Sequence, residues 1–220
     1  AAPVSVGQSG SVVSLLMAMG GSGYALEKTA EALVAGGRFL HVADAPDLVL
    51  FLGDYIYEQG AKPGGVRLHP GPEPMDLAGY RIRYGAYKSD PLLQAAHAAA
   101  PWMVIWDDHE VENDYGGPFD RAGNDPAWFL KRRAAAYQAY YEHMPLRRRS
   151  IPVGPQMLLH RALDWGQLAQ FQFLDDRQYV LAAQGGDGVL GVEAEAHVEL
   201  DPADGGQVIA LGVEEQAVEQ

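Results

Sequence analysis

The chain has 220 residues, 48% of them hydrophobic, with a formal net charge of −13 and no cysteine. That is enough apolar material for one sizeable core, and the missing thiols exclude a disulfide framework or a thiolate metal site. The acidic balance argues against nonspecific nucleic-acid binding, which depends on Lys and Arg neutralising phosphates; with no run of about 18 apolar residues, no membrane span is expected.

Residues 1–10 are small and polar and read as a mobile lead-in. SVVSLLMAM at 11–19 has no basic segment before it and no small-residue cleavage site after it, so it reads as a buried strand and not a signal peptide. A GGSG turn, a helix over 24–37 with Gly36 or Gly37 at its end, and the apolar run DLVLFLGD at 47–54 then complete a strand–helix–strand unit with a right-handed crossover. Residues 60–79 are rich in Gly and Pro and read as a loop.

Two helices are expected between Tyr80 and Ala100, the second capped by Ser89 or Asp90 with Pro91 in its first turn. WMVIWDD at 102–108 is the next strand. Asp125 and Pro126 open a long helix that Pro145 stops, and its Tyr137, Tyr140 and Tyr141 read as core packing. Residues 156–165 and 168–176 form a hairpin around Gly166.

The last forty residues carry nine acidic side chains and no Lys or Arg. This shift sets a boundary near 180, with residues 1–180 as the main domain and 181–220 as an acidic β-hairpin extension whose strand at 192–200 alternates apolar and polar residues. Its edge offers a route to an oligomer; packing on the parent sheet is the plainer expectation.

Two stretches carry the chemistry. DLVLFLGDYIYE (47–58) and PWMVIWDDHEVENDY (101–115) are apolar runs that end in carboxylate, imidazole, amide and phenol groups. Buried parallel strands with polar carboxyl ends are where α/β sheets bind ligands, so Asp54, Tyr57, Asp107, Asp108, His109 and Asn113 are expected to meet at one rim. Hard cations take oxygen donors and borderline ions accept imidazole as well, so the composition suits a metal site. The plainer alternative is an acidic solvated loop. Arg177, after the strand ending in LDD, can hold a phosphate bidentately or simply pair with Asp175 or Asp176.

On these stretches, together with YRIRYGAYKSDPLLQAAHAAAP, RRAAAYQAYYEHMPLR and LDDRQY, the chain resembles the PhoD-type alkaline phosphatases and phosphodiesterases of the calcineurin-like metallophosphoesterases. The resemblance covers about 47–180 and implies an α/β fold, a β-sandwich flanked by helices, here partial. It also implies a dinuclear or multinuclear site of iron with calcium, a phosphoester substrate, and secretion or a periplasmic location. By position, Asp54 would bridge two metals, Tyr57 would be the phenolate ligand of iron, and Asn113 the amide ligand of calcium. Asp107, Asp108 and His109 would orient those ligands or touch phosphate, and Arg177 would steady it, which makes Asp54, Asp107, His109 and Arg177 the catalytic candidates.

Two parts of the family pattern are not matched. The first-strand ligand position falls near MAMGGSG, and no Gly-Asp-x-His segment is found before residue 220. The reading is therefore metal-dependent phosphoester hydrolysis, against the alternative of a truncated or recombined relative that binds metal weakly or not at all.

Overall fold

The computed structural model describes residues 47–60, 69–166 and 169–179, together with the strand segments 4–8, 11–18, 196–199 and 209–211. Two four-stranded sheets organise them, in the orders β1-β2-β3-β4 and β5-β6-β7-β8.

In the first sheet, β1 (Val4–Gln8) runs antiparallel to β2 (Ser11–Ala18), while β3 (Leu48–Phe51) is parallel to both β2 and β4 (Trp102–Val104). The expected lead-in therefore forms a strand. Its alternating valines lie in register with β2, from Val4 opposite Leu15 to Gln8 opposite Ser11, so ladder pairing absorbs backbone groups that a loose segment would leave to water. The parallel pairing of β2 with β3 fits the expected strand–helix–strand unit, and the helix expected over 24–37 lies outside the described residues. β3 is buried along its length, as its unbroken apolar run requires.

Helix α1 (Leu77–Lys88) begins three residues earlier than its sequence suggests. Asp76 sits at its N-cap and accepts a bond from Gly79 N at 2.8 Å, which satisfies an otherwise orphaned donor. Ser89 donates its hydroxyl back to Gly85 O at 2.7 Å, closing α1 and leaving α2 (Pro91–Ala99) to start at its proline. Helix α3 (Pro126–His143) opens as expected on Asp125, whose carboxylate accepts from Ala127 N at 2.9 Å, and packs along α1.

Tyr80, Tyr84 and Tyr87 share the buried face of α1, and Tyr137 and Tyr140 that of α3. Trp106, just past β4, is wholly buried, with its indole stacked on Tyr137 at 4.1 Å between ring centres. Burying each such ring contributes about 2–3 kcal/mol, so these aromatic layers fix where β4 ends relative to the helices.

In the second sheet, β5 (Arg161–Trp165) and β6 (Ala169–Phe173) form the expected hairpin around Gly166, whose φ of +60° suits glycine. β7 (Ala196–Glu199) and β8 (Ile209–Leu211) form a second hairpin, and β7 pairs antiparallel with β6. The acidic C-terminal strands thus extend the parent sheet edge to edge. No helix of the described residues is long and apolar enough to cross a membrane.

Candidate metal centre

Adjacent parallel strands β3 and β4 end side by side, and Ile105 N still bonds Phe51 O at 2.9 Å beyond the strand proper. Both chains then turn sharply. Gly53 has φ +126° and Asp54 φ +56°, a left-handed conformation that costs a non-glycine residue about 1 kcal/mol or more.

This turn brings ligand-type atoms of Asp54, Asp108 and His109 within 4.8 Å of one another, all in buried residues or nearly so. Asp54 Oδ2 accepts the Tyr57 hydroxyl at 3.1 Å, whereas Asp54 Oδ1 is buried with no hydrogen-bond partner. A buried carboxylate oxygen left bare is costly, and a cation between these groups would satisfy it. The donor set of carboxylates, phenol and imidazole therefore fits a hard or borderline metal ion.

Burial, with Glu110 and Asp107 nearby, pushes the Asp54 carboxyl up to about 9. Burial and the adjacent Asp54 also hold the Tyr57 phenol well above its usual range, so without a cation it stays protonated and donates to Asp54.

Glu58 and Glu110 organise the site, and neither stands out in the sequence as a functional residue. Glu58 accepts from His109 Nδ1 at 2.7 Å and from Asn113 N at 3.1 Å. This holds a proton on Nδ1, so Nε2 is the nitrogen that would turn to a cation once it sheds its own proton. Burial works against the charged imidazole, but the bond and charge of Glu58, with Asp54 and Asp108, push it up to about 9. Glu110 lies under both strand ends, accepting from Tyr55 N at 2.5 Å and Asp107 N at 2.9 Å, and burial raises it to about 7. A glutamate closing an aromatic run, as in YIYE, was the available signal for Glu58.

The remaining sequence candidates fall as follows. Asp107 accepts from Arg177 Nε at 2.6 Å, with Arg177 Nη2 4.0 Å from Asp108. Burial opposes the guanidinium charge, yet Asp107 and Asp108 outweigh it and keep Arg177 firmly protonated. Asn113 turns its amide nitrogen to Asp114 Oδ2 at 2.5 Å. Asp175, an alternative partner for the Arg177 guanidinium, takes that residue's backbone N–H at 3.3 Å and accepts from the Trp106 indole at 2.9 Å and from Gln178 N at 2.9 Å. Asp176 is buried with neither oxygen bonded, and burial, with Asp107 close by, raises it to about 7.

Residues 31–205 match the sequence profile of the PhoD-like phosphatases, well over half the chain. This chain belongs to the PhoD-like phosphatase family. It is similar to alkaline phosphatase D of Bacillus subtilis (strain 168), 55% identical over 138 residues that make up 60% of this chain and 24% of that protein. A solved structure described as the structure of PhoD superposes with a TM-score of 0.67 at 43% identity, over 79% of this chain and 33% of that one. The chain thus spans about a quarter to a third of these PhoD relatives, and the match takes in both strand ends described above.

Proposed function

We propose that this chain carries the strand-end portion of a metal-dependent phosphoester hydrolase centre of the PhoD type. The observation that supports this most is the bare, buried Asp54 Oδ1 beside Asp108 and His109, with Arg177 Nε on the adjoining Asp107 carboxylate. Asp54 and Tyr57 would ligate iron, Asn113 would ligate calcium, and Asp108 and His109 would complete or orient the set. Ions bound there would neutralise phosphate charge and lower the pKa of a water. Glu58 holds the proton on His109 Nδ1, and Glu110 holds the peptide groups of both strand ends. Arg177, bonded to Asp107 through Nε, would offer its outer N–H groups to phosphate oxygens, a geometry that suits the planar fork.

The reading extends to a partial β-sandwich flanked by helices, with the 181–220 extension as an appendage, and to a secreted or periplasmic setting. Calorimetric titration of the chain with iron and with calcium, followed by assays on p-nitrophenyl phosphate and its diester, tests it. Saturable binding and turnover that Asp54→Ala abolishes are the expected results. No turnover and no saturable binding of either metal would leave a noncatalytic relative.

A further inference from the structure

Tyr57 lies beyond the end of β3, where ladder pairing no longer fixes the backbone. Both of its peptide groups are instead held by α1. Its N–H donates to the Tyr87 hydroxyl at 3.2 Å, and its carbonyl accepts a close bond from Arg83 Nη1. Residues 83 and 87 are one helical turn apart and so share a face.

Arg83 is almost wholly buried, and among the described residues it makes no ion pair with a carboxylate. Its nitrogens are spent on carbonyls: Nη1 also reaches Gln59 O at 2.7 Å and Nη2 reaches Pro72 O at 3.3 Å, while Nε is buried without a partner. Burying a guanidinium is costly, and an apolar side chain would fill the same space at lower cost. What the guanidinium alone provides is donors in a rigid plane, which fix the path of residues 57–59 against the loop at Pro72. His69 extends the device. Its Nδ1 donates to Gln59 O at 2.6 Å, so Nε2 accepts from the Tyr87 hydroxyl at 3.0 Å and orients the oxygen that holds Tyr57 N.

We propose that Arg83 and Tyr87 are positioning residues that set the Tyr57 phenol against Asp54, so that metal capture depends on a helix that supplies no ligand. This rests on the reading of Tyr57 as a ligand. A ligand held about 1 Å out of place no longer forms the site, and residues that orient ligands are typically worth 10–100-fold in metal affinity.

The test uses the full chain with ring-13C tyrosine, the Tyr57 signal being assigned with Tyr57→Phe. Tyr87→Phe, Arg83→Lys and Arg83→Met are compared with wild type for that signal without metal and for affinity toward iron and calcium. Tyr87→Phe and Arg83→Met are expected to shift the Tyr57 signal and weaken binding about 10-fold or more, with Arg83→Lys recovering part through its one ammonium. Tyr87→Phe removes only an oxygen, so it reports even where Arg83→Met fails to fold. An unchanged Tyr57 signal and unchanged affinity in folded Tyr87→Phe and Arg83→Lys overturn the proposal. If wild type binds neither metal, the reading of Tyr57 as a ligand falls, and the Tyr57 signal alone decides: unchanged in Tyr87→Phe, it overturns the positioning role as well.

Discussion

Gly53 lies directly against Asp107. A Cβ on Gly53 would stand 2.5 Å from both the backbone nitrogen and the Cβ of Asp107, and the Gly53 φ of +126° strains any L side chain. The two strand ends approach this closely because one of them has no side chain there.

Gly53→Ala is therefore expected to push the two ends apart, with a loss of about 2 kcal/mol or more in stability and of metal binding altogether. Urea denaturation and calorimetry on the same preparation check it. A variant as stable as wild type would contradict the close approach.

Asp54 combines a left-handed backbone with a buried carboxyl whose one oxygen has no partner. Asn tolerates that backbone and is neutral without first taking up a proton on folding. Asp54→Asn is expected to raise metal-free stability by about 1 kcal/mol while abolishing metal binding, the usual exchange of stability against a strained site. A thermal melt in chelator with a matching titration reads both, and a fall in melting temperature would count against the strain.

Glu58 offers two acceptors to two donors, His109 Nδ1 and Asn113 N. Glutamine has one acceptor and must turn an NH2 toward the other donor. Glu58→Gln should therefore cost about 10–100-fold in metal affinity while keeping the fold. Nitrogen NMR of His109 gives a second check, since without the Glu58 charge the ring should lose its extra proton at a lower pH than in wild type.

His97 supplies a pH dependence away from the centre. Its Nε2 lies 2.8 Å from the Tyr55 hydroxyl and 3.1 Å from Lys88 Nζ, either of which can fill its one lone pair, and its ring stacks on Trp102 at 3.9 Å. Burial, then the Lys88 charge, lowers it to about 4 from 6.5. The unfolded chain takes up this proton below 6.5 and the folded chain only near 4, so the unfolded state binds more protons in between. The His97 contribution is complete above pH 6.5 and is lost as the pH falls toward 4. Urea midpoints at pH 4.5 and 7.5 should differ less in His97→Gln than in wild type. Equal differences would show that His97 carries none of it.

The sequence makes β3, β4 and the Asp125–Pro126 cap legible because each rests on a local signal: an apolar run with a polar end, or a capping side chain beside a proline. It also marks Asp54, Tyr57 and His109 as neighbours at one rim. Glu58 and Glu110 are not legible, since a glutamate after a strand looks solvated until the second strand end closes over it. Nor is the pairing of β6 with β7, which joins residues more than twenty positions apart and depends on register alone. The meeting of Asp108 with Asp54 is legible in the two runs as well; how closely the two ends can approach rests on the Gly53 contact, a property of the tertiary approach and not of either run.

The Arg177–Asp107 pair joins residues 70 apart, and the Trp106–Asp175 bond beside it joins residues 69 apart. Loop closures of that length come late in folding, after helices and hairpins have formed. In a stopped-flow refolding experiment, competence to bind a metal is consequently expected to lag behind the recovery of helical signal, and simultaneous recovery of the two would contradict this order.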